Sequence, residues 1–511
     1  MKALLMYKDR DFDLEQNAPW NGADLIQDLQ LGPVLGAMAI GDEFLHRVAQ
    51  TALLSGLYEG PDVILYRQAV LKDCLKNSAI VKGIYELAVD AIENKSRSYW
   101  GTGVANYPPS ILSGAIETLQ IFVRTLKTLR SVSDQDAGKF DSEGFAEFFA
   151  RVKAEISHEY LDEIEGHLKE LRSSGGVLIG ARLGRGNRGS SYVLRKPNER
   201  KGWVRRVFAR GPKSYTFHVD DRSGAAAREL GELANRGINS VANATAQSAD
   251  HVLNFLLTLR AELAFYLGCV NLHDHLVRIN MPVCFPSLAP RGERRLSSEG
   301  LYDVSLALTM GQPVVANDIK ADETDLIIVT GANKGGKTVF LRSVGLSQMM
   351  MQCGMFVPAR SFSANLSAGL FTHFKRREDV GMESGKLDEE LSRMSRIADH
   401  LTAGSLVLFN EAFATTNEKE GSEIAKHIVA ALSEKHVRVI FVSHLYQFAH
   451  DVYERRTGAM LFLRAERKPD GTRSYRLVEG EPLDTSYGVD LYNKILASGG
   501  QVANGEVQER R

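Results

Sequence analysis

The sequence has few cysteines, no secretory signal and no long apolar run. Its four cysteines in 511 residues are scattered, and no close pair is present for a zinc site or a redox couple, which indicates a reducing compartment. Charged residues at Lys8, Asp9 and Arg10 interrupt the apolar start that a secretory signal needs. No stretch reaches the roughly eighteen uninterrupted apolar residues of a membrane helix. These features predict a soluble, cytoplasmic protein without a membrane partner.

The sequence also lacks an overall excess of charge of either sign. Lys and Arg together number 62, and Asp and Glu together number 63, so the total charge predicts no class of partner. The distribution is uneven, however. Residues 182–213 contain eleven basic residues and one acid, a local charge of about +10, which leaves about −11 for the remainder. The length is sufficient for roughly two to four domains.

The most specific signal is a glycine-rich stretch that follows a short apolar run. Leu326–Val329 leads into Gly-x-x-x-x-Gly-Lys-Thr, the spacing of a phosphate-binding loop, in which several backbone N–H groups converge on one phosphate. Lys337 is predicted to reach the β- and γ-phosphates, and Thr338 to bind Mg²⁺ through its hydroxyl. A glycine turn without a ligand is the alternative. The predicted loop consists of Gly331, Ala332, Asn333, Lys334, Gly335, Gly336, Lys337 and Thr338.

Two further apolar runs end in polar residues. One is Ser405–Glu411 and the other is Arg438–His444. Buried strands of a parallel sheet read as continuous apolar runs, and ligands bind at their carboxyl ends. Glu411 is therefore predicted to be the general base that orients the attacking water. His444 is predicted to contact the γ-phosphate or that water, with a purely structural histidine as the alternative.

Apolar periodicity divides the chain into segments. Apolar residues recur at helical spacing through the first 170 residues and again from about Ala225 to Val277. The Gly- and Arg-rich part between them contains short alternating runs that predict β-hairpins or another ordered excursion. Later, short apolar strands alternate with helices, the pattern of an α/β ATPase. The predicted ranges are 1–172 for a helical core, 173–221 for the basic excursion, 222–285 for returning lever helices, 286–498 for the ATPase and 499–511 for a polar tail.

These motifs resemble the ATPase domain of the MutS mismatch-repair family. The matching stretches are Thr330–Arg342, Met355–Ala359, Ser405–Thr416, Val442–His444 and Thr485–Gly488. The resemblance implies a multi-domain α plus α/β fold, a helical core and lever bundle followed by an ABC/MutS-type P-loop NTPase domain. It implies ATP and Mg²⁺ as cofactors, with slow ATP hydrolysis. Adenine contacts are implied for Val314, Val315 and Asn317.

The resemblance also implies a homodimer, because in this family a serine of one subunit completes the ATP site of its partner. The candidate is Ser384, which is offset by about one residue from the family's serine. Asn410 stands where the family usually has Asp, so we expect Asn410 to bind Mg²⁺ without negative charge, with weaker metal affinity and slow turnover. Lys334 adds a cation within the loop that either contacts phosphate or faces solvent.

Two domains known in the family are not expected in this sequence. One is the N-terminal mismatch-recognition domain, which inserts a Phe-x-Glu wedge into DNA. Such triplets occur here at Phe145–Glu147, on a predicted core stripe, and at Phe409–Glu411, within the strand motif. The other is the C-terminal Smr domain of a second bacterial branch.

The family grips the DNA backbone with a clamp between two lever helices, and the basic excursion lies at the corresponding place. Lys and Arg at this density fit phosphate contacts, which depend little on base sequence. A solvated charged face is the alternative. The predicted contacts are Arg182, Arg185, Arg188, Arg195, Lys196, Arg200, Lys201, Arg205, Arg206, Arg210 and Lys213.

The predicted function is therefore an ATP-hydrolysing protein that binds duplex or branched DNA as an ATP-gated clamp in DNA repair or recombination. One alternative is an RNA- or ribosome-associated ATPase. Another is a nucleotide-gated protein scaffold whose basic residues bind an acidic partner. A P-loop kinase or transporter motor is disfavoured, because the sequence shows no membrane-coupling segment and a long helical arm has no place in a kinase.

Overall fold

The computed structural model describes residues 1–100, 108–172, 178–183, 189–195, 224–290, 293–376, 385–455, 459–468 and 472–483. The chain divides into two compact units. The first consists of Met1–Leu4 and Ala79–Leu263, and the second consists of Leu5–Ser78 and Ala264–Arg511. The boundaries of these two units differ from the domain ranges predicted from the sequence. Those domain ranges remain predictions.

The described part of the first unit is helical apart from one hairpin. The helices are α5 (Ser78–Trp100), α6 (Pro108–Asp136), α7 (Glu143–Glu155), α8 (His158–Arg172) and the beginning of α9 (Gly224–Arg278). Ser142 begins α7 by accepting the N–H of Phe145 through its hydroxyl. Phe145 is 0% exposed and packs against Phe140 and Phe148. Phe145 of the first Phe-x-Glu triplet is therefore part of a hydrophobic core.

The hairpin lies within the basic excursion. Strands β1 (Leu178–Leu183) and β2 (Gly189–Arg195) pair antiparallel, with Leu178 opposite Arg195 and a shift in register between Gly180 and Arg182. Arg182 is exposed. The alternating sequence pattern predicts this pairing, since period-2 alternation is typical of strands.

The second unit is built on a twisted parallel sheet. Its described strands are β6 (Leu326–Thr330), β8 (Leu370–Phe374), β9 (Leu406–Asn410), β10 (Arg438–Val442), β11 (Met460–Arg467) and β12 (Arg473–Glu479). They are ordered β12-β11-β6-β10-β9-β8, and all neighbours are parallel except the pair formed by β11 and the edge strand β12. All residues of β6 and β8 are buried. Burial on both faces explains the apolar run Leu326–Val329 of β6, whereas β8 also buries Thr372 and His373.

Helices cover both faces of this sheet. Helices α12 (Lys386–His400), α13 (Glu418–Glu434) and α14 (Tyr446–Arg455) share one apolar core with Val407 and Phe409 of β9. Helix α11 (Lys337–Gln352) lies on the other face, because a Cβ added at Gly345 would lie 2.7 Å from Leu408 and successive residues of a strand face opposite sides.

Short N-terminal helices pack on the outer side of α11. They are α1 (Gly22–Asp28), α2 (Gly32–Ala39), α3 (Glu43–Ser55) and α4 (Pro61–Lys76). A Cβ added at Gly56 would lie 2.6 Å from the Sγ of Cys353. Arg67 of α4 is fully buried; its Nε donates to the carbonyl of Met6 at 3.1 Å and its guanidinium lies over the ring of Tyr7. These helices are therefore part of the same compact core as the sheet.

A smaller sheet completes the second unit among its described residues. Its strands are β3 (Ser287–Ala289), β4 (Leu296–Leu301), β5 (Asn317–Lys320) and β7 (Ser361–Asn365), in the order β3-β7-β4-β5. Helix α10 (Val304–Met310) follows β4, and its N-cap Asp303 pairs with Arg342 of α11 in a buried ion pair. This pair fixes the helix of the glycine loop to the smaller sheet.

The long helix α9 contains a stretch that passes a length and composition test for a membrane span. This stretch is Ile238–Arg278, and 67% of its apolar window is buried inside the protein. Buried core helices pass the same test, so this match by itself does not argue for a membrane span.

Candidate nucleotide-binding site

The glycine loop connects β6 to α11 and leaves the start of the helix open. Gly331 and Gly336 have φ values of +109° and +92°, in the left-handed region that favours glycine. Gly336 is the N-cap of α11, and the described residues supply no side-chain cap to its first turn. The first backbone N–H groups of α11 therefore remain available to an anion, and the helix dipole favours one there.

Strands β11 and β12 press closely against the loop. A Cβ added at Gly335 would lie 2.6 Å from the Cβ of Ala465 and 2.9 Å from the carbonyl oxygen of Ala332. At Gly336 it would lie 3.1 Å from the carbonyl oxygen of Tyr475. The motif therefore needs its glycines for packing as well as for backbone conformation. The side chain of Lys334, in contrast, is exposed.

Lys337 is buried at the centre of the loop. Its Nζ donates to the carbonyl oxygens of Gly331 at 2.8 Å and Ala332 at 3.0 Å, and it lies 3.3 Å from the Nε2 of His444. Burial lowers the pKa of Lys337 to about 8, although the nearby carboxylate of Glu411 raises it in part. The side chain is thus largely protonated at neutral pH and carries a partly desolvated positive charge.

The two predicted Mg²⁺ ligands are neighbours. The hydroxyl of Thr338 donates to the Oδ1 of Asn410 at 2.9 Å. Adjacent ligands of an octahedral Mg²⁺ with bonds of about 2.1 Å lie about 3.0 Å apart. The separation of these two oxygens therefore fits a shared metal ion.

Glu411 and His444 meet because their strands are aligned. In the parallel pairing, Val442 of β10 lies opposite Val329 of β6 and Asn410 of β9, so the residues after all three strands converge. His444 Nε2 lies 3.0 Å from the Oε1 of Glu411. This hydrogen bond is the largest influence that lowers the pKa of Glu411, against the opposing effect of burial. Glu411 is therefore ionised at neutral pH, as a general base must be.

The structure thus brings together Lys337, Thr338, Asn410, Glu411 and His444 at the carboxyl edge of one sheet.

The residues predicted to contact adenine differ in how far they are buried. Val314 is half-buried and Val315 is 40% exposed. Asn317 is buried; its Oδ1 accepts the N–H of Leu477 at 2.7 Å, and its Nδ2 lies 3.5 Å from the carbonyl oxygen of Tyr475. Asn317 is thus already bonded to β12, and its contact with a base stays a prediction.

Several predicted residues lie outside the described part of the chain. Ser384 is one, and the side chain of Arg195 is another. The others are Arg185, Arg188, Lys196, Arg200, Lys201, Arg205, Arg206, Arg210 and Lys213. Their roles remain predictions from the sequence.

Sequence reasoning missed charged residues that surround the site. Arg473 of β12 is close enough to lower the pKa of Lys337, and Lys375 after β8 contributes to lowering the pKa of Glu411. Glu390 of α12 accepts a hydrogen bond from the backbone of Phe413, two residues beyond Glu411. The position of Lys375 directly after the strand β8 was a usable signal, whereas Arg473 and Glu390 carry no local pattern.

A glycine loop between a buried strand and a helix, with polar residues after the neighbouring strands, defines the class of P-loop nucleotide-binding proteins. Two family models match the chain: the MutS2 N-terminal domain over residues 59–279 and MutS domain V over residues 327–502. Together they cover both the helical part and the sheet of the glycine loop. The chain belongs to the MutS family.

Individual relatives match mainly the part that contains the glycine loop. The DNA mismatch repair protein MutS of Porphyromonas gingivalis is 34% identical over 145 residues, which cover 27% of this chain and 16% of that protein. The corresponding protein of Leptospira interrogans is 30% identical over 209 residues, which cover 40% of this chain and 24% of that protein. The MutS protein of Thermus thermophilus is 29% identical over 177 residues, which cover 35% of this chain and 22% of that protein. The chain therefore spans less than a quarter of the length of these relatives.

These findings confirm the predicted family and fold class, a helical part followed by a MutS-type ATPase domain. Neither matched model is a mismatch-recognition domain, in agreement with its expected absence from this sequence. The helical part is similar to the MutS2 N-terminal domain in particular, which the sequence motifs did not distinguish from the family's core and lever helices in general.

Proposed function

We propose that this protein binds and slowly hydrolyses ATP with Mg²⁺, and that it binds DNA through the backbone as an ATP-gated clamp in DNA repair or recombination. The observation that carries the ATPase is the convergence of Lys337, Thr338, Asn410, Glu411 and His444 beside the uncapped start of α11. Membership of the MutS family supports the DNA partner. A cytoplasmic location is part of the proposal.

Each residue of the site has a role in binding or hydrolysis. The loop N–H groups and Lys337 bind the β- and γ-phosphates. Thr338 and Asn410 would hold Mg²⁺, which would offset phosphate charge. Glu411 accepts a proton from the water that attacks the γ-phosphorus, so that ADP and phosphate are the products. His444 orients the Glu411 carboxylate through the 3.0 Å hydrogen bond.

The clamp part of the proposal rests on charge and on the family. Two copies of the ATPase would enclose ATP, with Ser384 of one subunit completing the site of the other. ATP binding would draw the two copies together, and the lever helices would move the basic excursions. The local charge of about +10 in residues 182–213 suits phosphate contacts without base reading.

A calorimetric titration of the purified protein with ATP and Mg²⁺ tests the nucleotide site. We expect saturable heat for the wild type and an affinity lower by about ten- to a hundredfold for Lys337→Ala, because a charge-assisted hydrogen bond contributes about 1.5–3 kcal/mol. Lys435→Ala is the control, since Lys435 is exposed at the end of α13. A wild-type protein that takes up no ATP would overturn the proposal.

A further inference from the structure

The backbone that follows Glu411 has an unusual conformation. Glu411 and Phe413 have φ values of +54° and +61°, in the left-handed region that L-residues seldom adopt. Such conformations persist where surrounding contacts hold them, and they cluster at functional sites. The segment that carries the predicted general base therefore needs an anchor outside itself.

Glu390 of α12 supplies that anchor. Its Oε2 accepts the backbone N–H of Phe413 at 2.9 Å and the hydroxyl of Thr415 at 3.4 Å. Glu390 is 7% exposed and Phe413 is 0% exposed. A hydrogen bond to a carboxylate in such a dry setting is stronger than one in water. The loop is thus tied to α12 at two residues, immediately after Glu411.

Glu390 is itself held in place by the neighbouring strand. His373 of β8 is buried, and its Nε2 lies 3.0 Å from the carbonyl oxygen of Glu390. The same imidazole stacks on the ring of Phe413, with ring centroids 5.3 Å apart. Burial lowers the pKa of His373 to about 4, so the ring is neutral at physiological pH and donates to the carbonyl. One imidazole therefore supports both ends of the bond between Glu390 and Phe413.

The pKa of Glu390 is raised, because the effect of burial exceeds the opposing effects of its neighbours. Those opposing effects come from the N–H of Phe413, the hydroxyl of Thr415 and the charges of Arg393 and Lys375, each of which stabilises the carboxylate. Arg393, one turn further along α12, donates to the carbonyl of Phe374, so its charge is fixed beside the carboxylate.

We propose that Glu390 is a positioning residue for ATP hydrolysis. By holding Phe413 and Thr415, it keeps the loop in the conformation in which the Glu411 carboxylate meets His444 and faces the attacking water. Glu390 contacts the loop after Glu411 and is not one of the residues proposed to bind ATP or Mg²⁺, so it acts on the rate of hydrolysis and not on nucleotide affinity. This inference rests on the proposed ATPase activity.

Variants of Glu390 separate the rate of hydrolysis from nucleotide binding. We expect Glu390→Ala to lower kcat by about ten- to a hundredfold, the size expected when a catalytic group is displaced by about 1 Å. The Kd for ATP should stay within about twofold of the wild type. Glu390→Gln keeps an acceptor oxygen but loses the charge, so it should restore most of the rate lost in Glu390→Ala. A residue that only stabilises the fold would not produce this split.

The control is Asp399→Asn, which removes a carboxylate charge from an exposed position of the same helix and should leave kcat and Kd unchanged. Circular dichroism of each variant checks folding. If Glu390→Ala does not fold, Thr415→Val carries the test, because it removes one of the two bonds and should lower kcat about threefold. Failure of the wild type to hydrolyse ATP would overturn the ATPase and this inference together. If the wild type hydrolyses ATP, this inference alone would be overturned by a folded Glu390→Ala variant that keeps its kcat. It would also be overturned if that variant loses kcat and ATP affinity equally. If Glu390→Ala does not fold, an unchanged kcat in Thr415→Val would overturn the inference.

Discussion

At the scale of single residues, Asn410 is the feature that most distinguishes this site from an ordinary P-loop ATPase. Its side-chain oxygen lies 2.9 Å from the Thr338 hydroxyl, so the geometry of a metal site is preserved. What is absent is one negative charge, because an amide offers an oxygen ligand without ionisation. The metal affinity of the site should therefore be limited by charge and not by distance.

Asn410→Asp tests this explanation. The added carboxylate should lower the Mg²⁺ concentration needed for half-maximal ATPase rate by about tenfold, which corresponds to about 1.4 kcal/mol. The measurement is a Mg²⁺ titration of steady-state hydrolysis at saturating ATP. Asn417→Asp is the matched control, because it adds the same charge at the exposed N-cap of α13 and should not change the requirement. An unaltered Mg²⁺ requirement in Asn410→Asp would refute the assignment of Asn410 as a ligand.

At the scale of secondary-structure elements, the sequence predicts the strands of the site but not their supports. Strands β6, β9 and β10 are apolar runs that end in polar residues, and parallel pairing places those ends together. The role of Glu390 depends on a contact across 23 residues of sequence, which no local period reveals. An acidic residue in a strongly amphipathic helix is usually solvated, whereas Glu390 is buried and accepts the N–H of Phe413.

The packing of α1–α4 around α11 was not predicted either. Their apolar stripes indicate a bundle core, and they do not indicate which element the bundle meets. The contact requires Gly56 to lie against Cys353, and Gly345 to lie against Leu29. Such close approaches depend on the shape of two surfaces that are distant in sequence, so composition and periodicity cannot reveal them.

Helix α13 packs directly against the loop that follows Glu411. A Cβ added at Gly421 would lie 2.4 Å from the carbonyl oxygen of Phe413, which is backbone and cannot rotate away. Gly421→Ala should therefore displace the loop after Glu411 and lower kcat by about tenfold. It should also fail to give the stability gain of about 1 kcal/mol that alanine normally brings within a helix.

Gly166→Ala is the control for that substitution. Gly166 lies within α8, and no atom of the described residues lies within 4 Å of a Cβ added there. We expect Gly166→Ala to raise the free energy of unfolding by about 0.5–1 kcal/mol with an unchanged ATPase rate. The measurements are urea unfolding and steady-state hydrolysis. A wild-type rate in Gly421→Ala would show that the loop tolerates the displacement, contrary to this argument.

At the scale of the whole molecule, the distribution of charge matters more than its total. A nearly neutral protein with a segment of about +10 attracts polyanions locally without binding them over its entire surface. The hairpin of β1 and β2 begins this segment. The proposed nucleotide site lies in the other compact unit, so the two proposed functions should be separable by mutation.

Charge reversal within the basic excursion tests that separation. Four arginines are replaced by glutamate, namely Arg185, Arg188, Arg205 and Arg206. DNA affinity should fall by at least a hundredfold, and the slope of log affinity against log salt should decrease by about one for each phosphate that the variant no longer neutralises. Basal ATPase should stay within about twofold, because the proposed nucleotide site is formed by other residues, among them Lys337, Thr338 and Glu411. Salt titrations with labelled duplex and branched DNA provide the measurement.

The matched control reverses four exposed basic residues elsewhere in the chain, namely Arg47, Lys82, Lys139 and Arg396. It changes the net charge equally, so unchanged DNA binding in this variant would attribute the reduced affinity to position and not to total charge.

Competition with structured RNA and ribosomes then identifies the class of nucleic acid. A clamp for DNA should be displaced from labelled DNA by unlabelled duplex or branched DNA at a lower concentration than by RNA or ribosomes. Stronger competition by RNA or ribosomes would replace the DNA partner, and an equal decrease in both charge variants would reduce the basic excursion to a nonspecific charged surface.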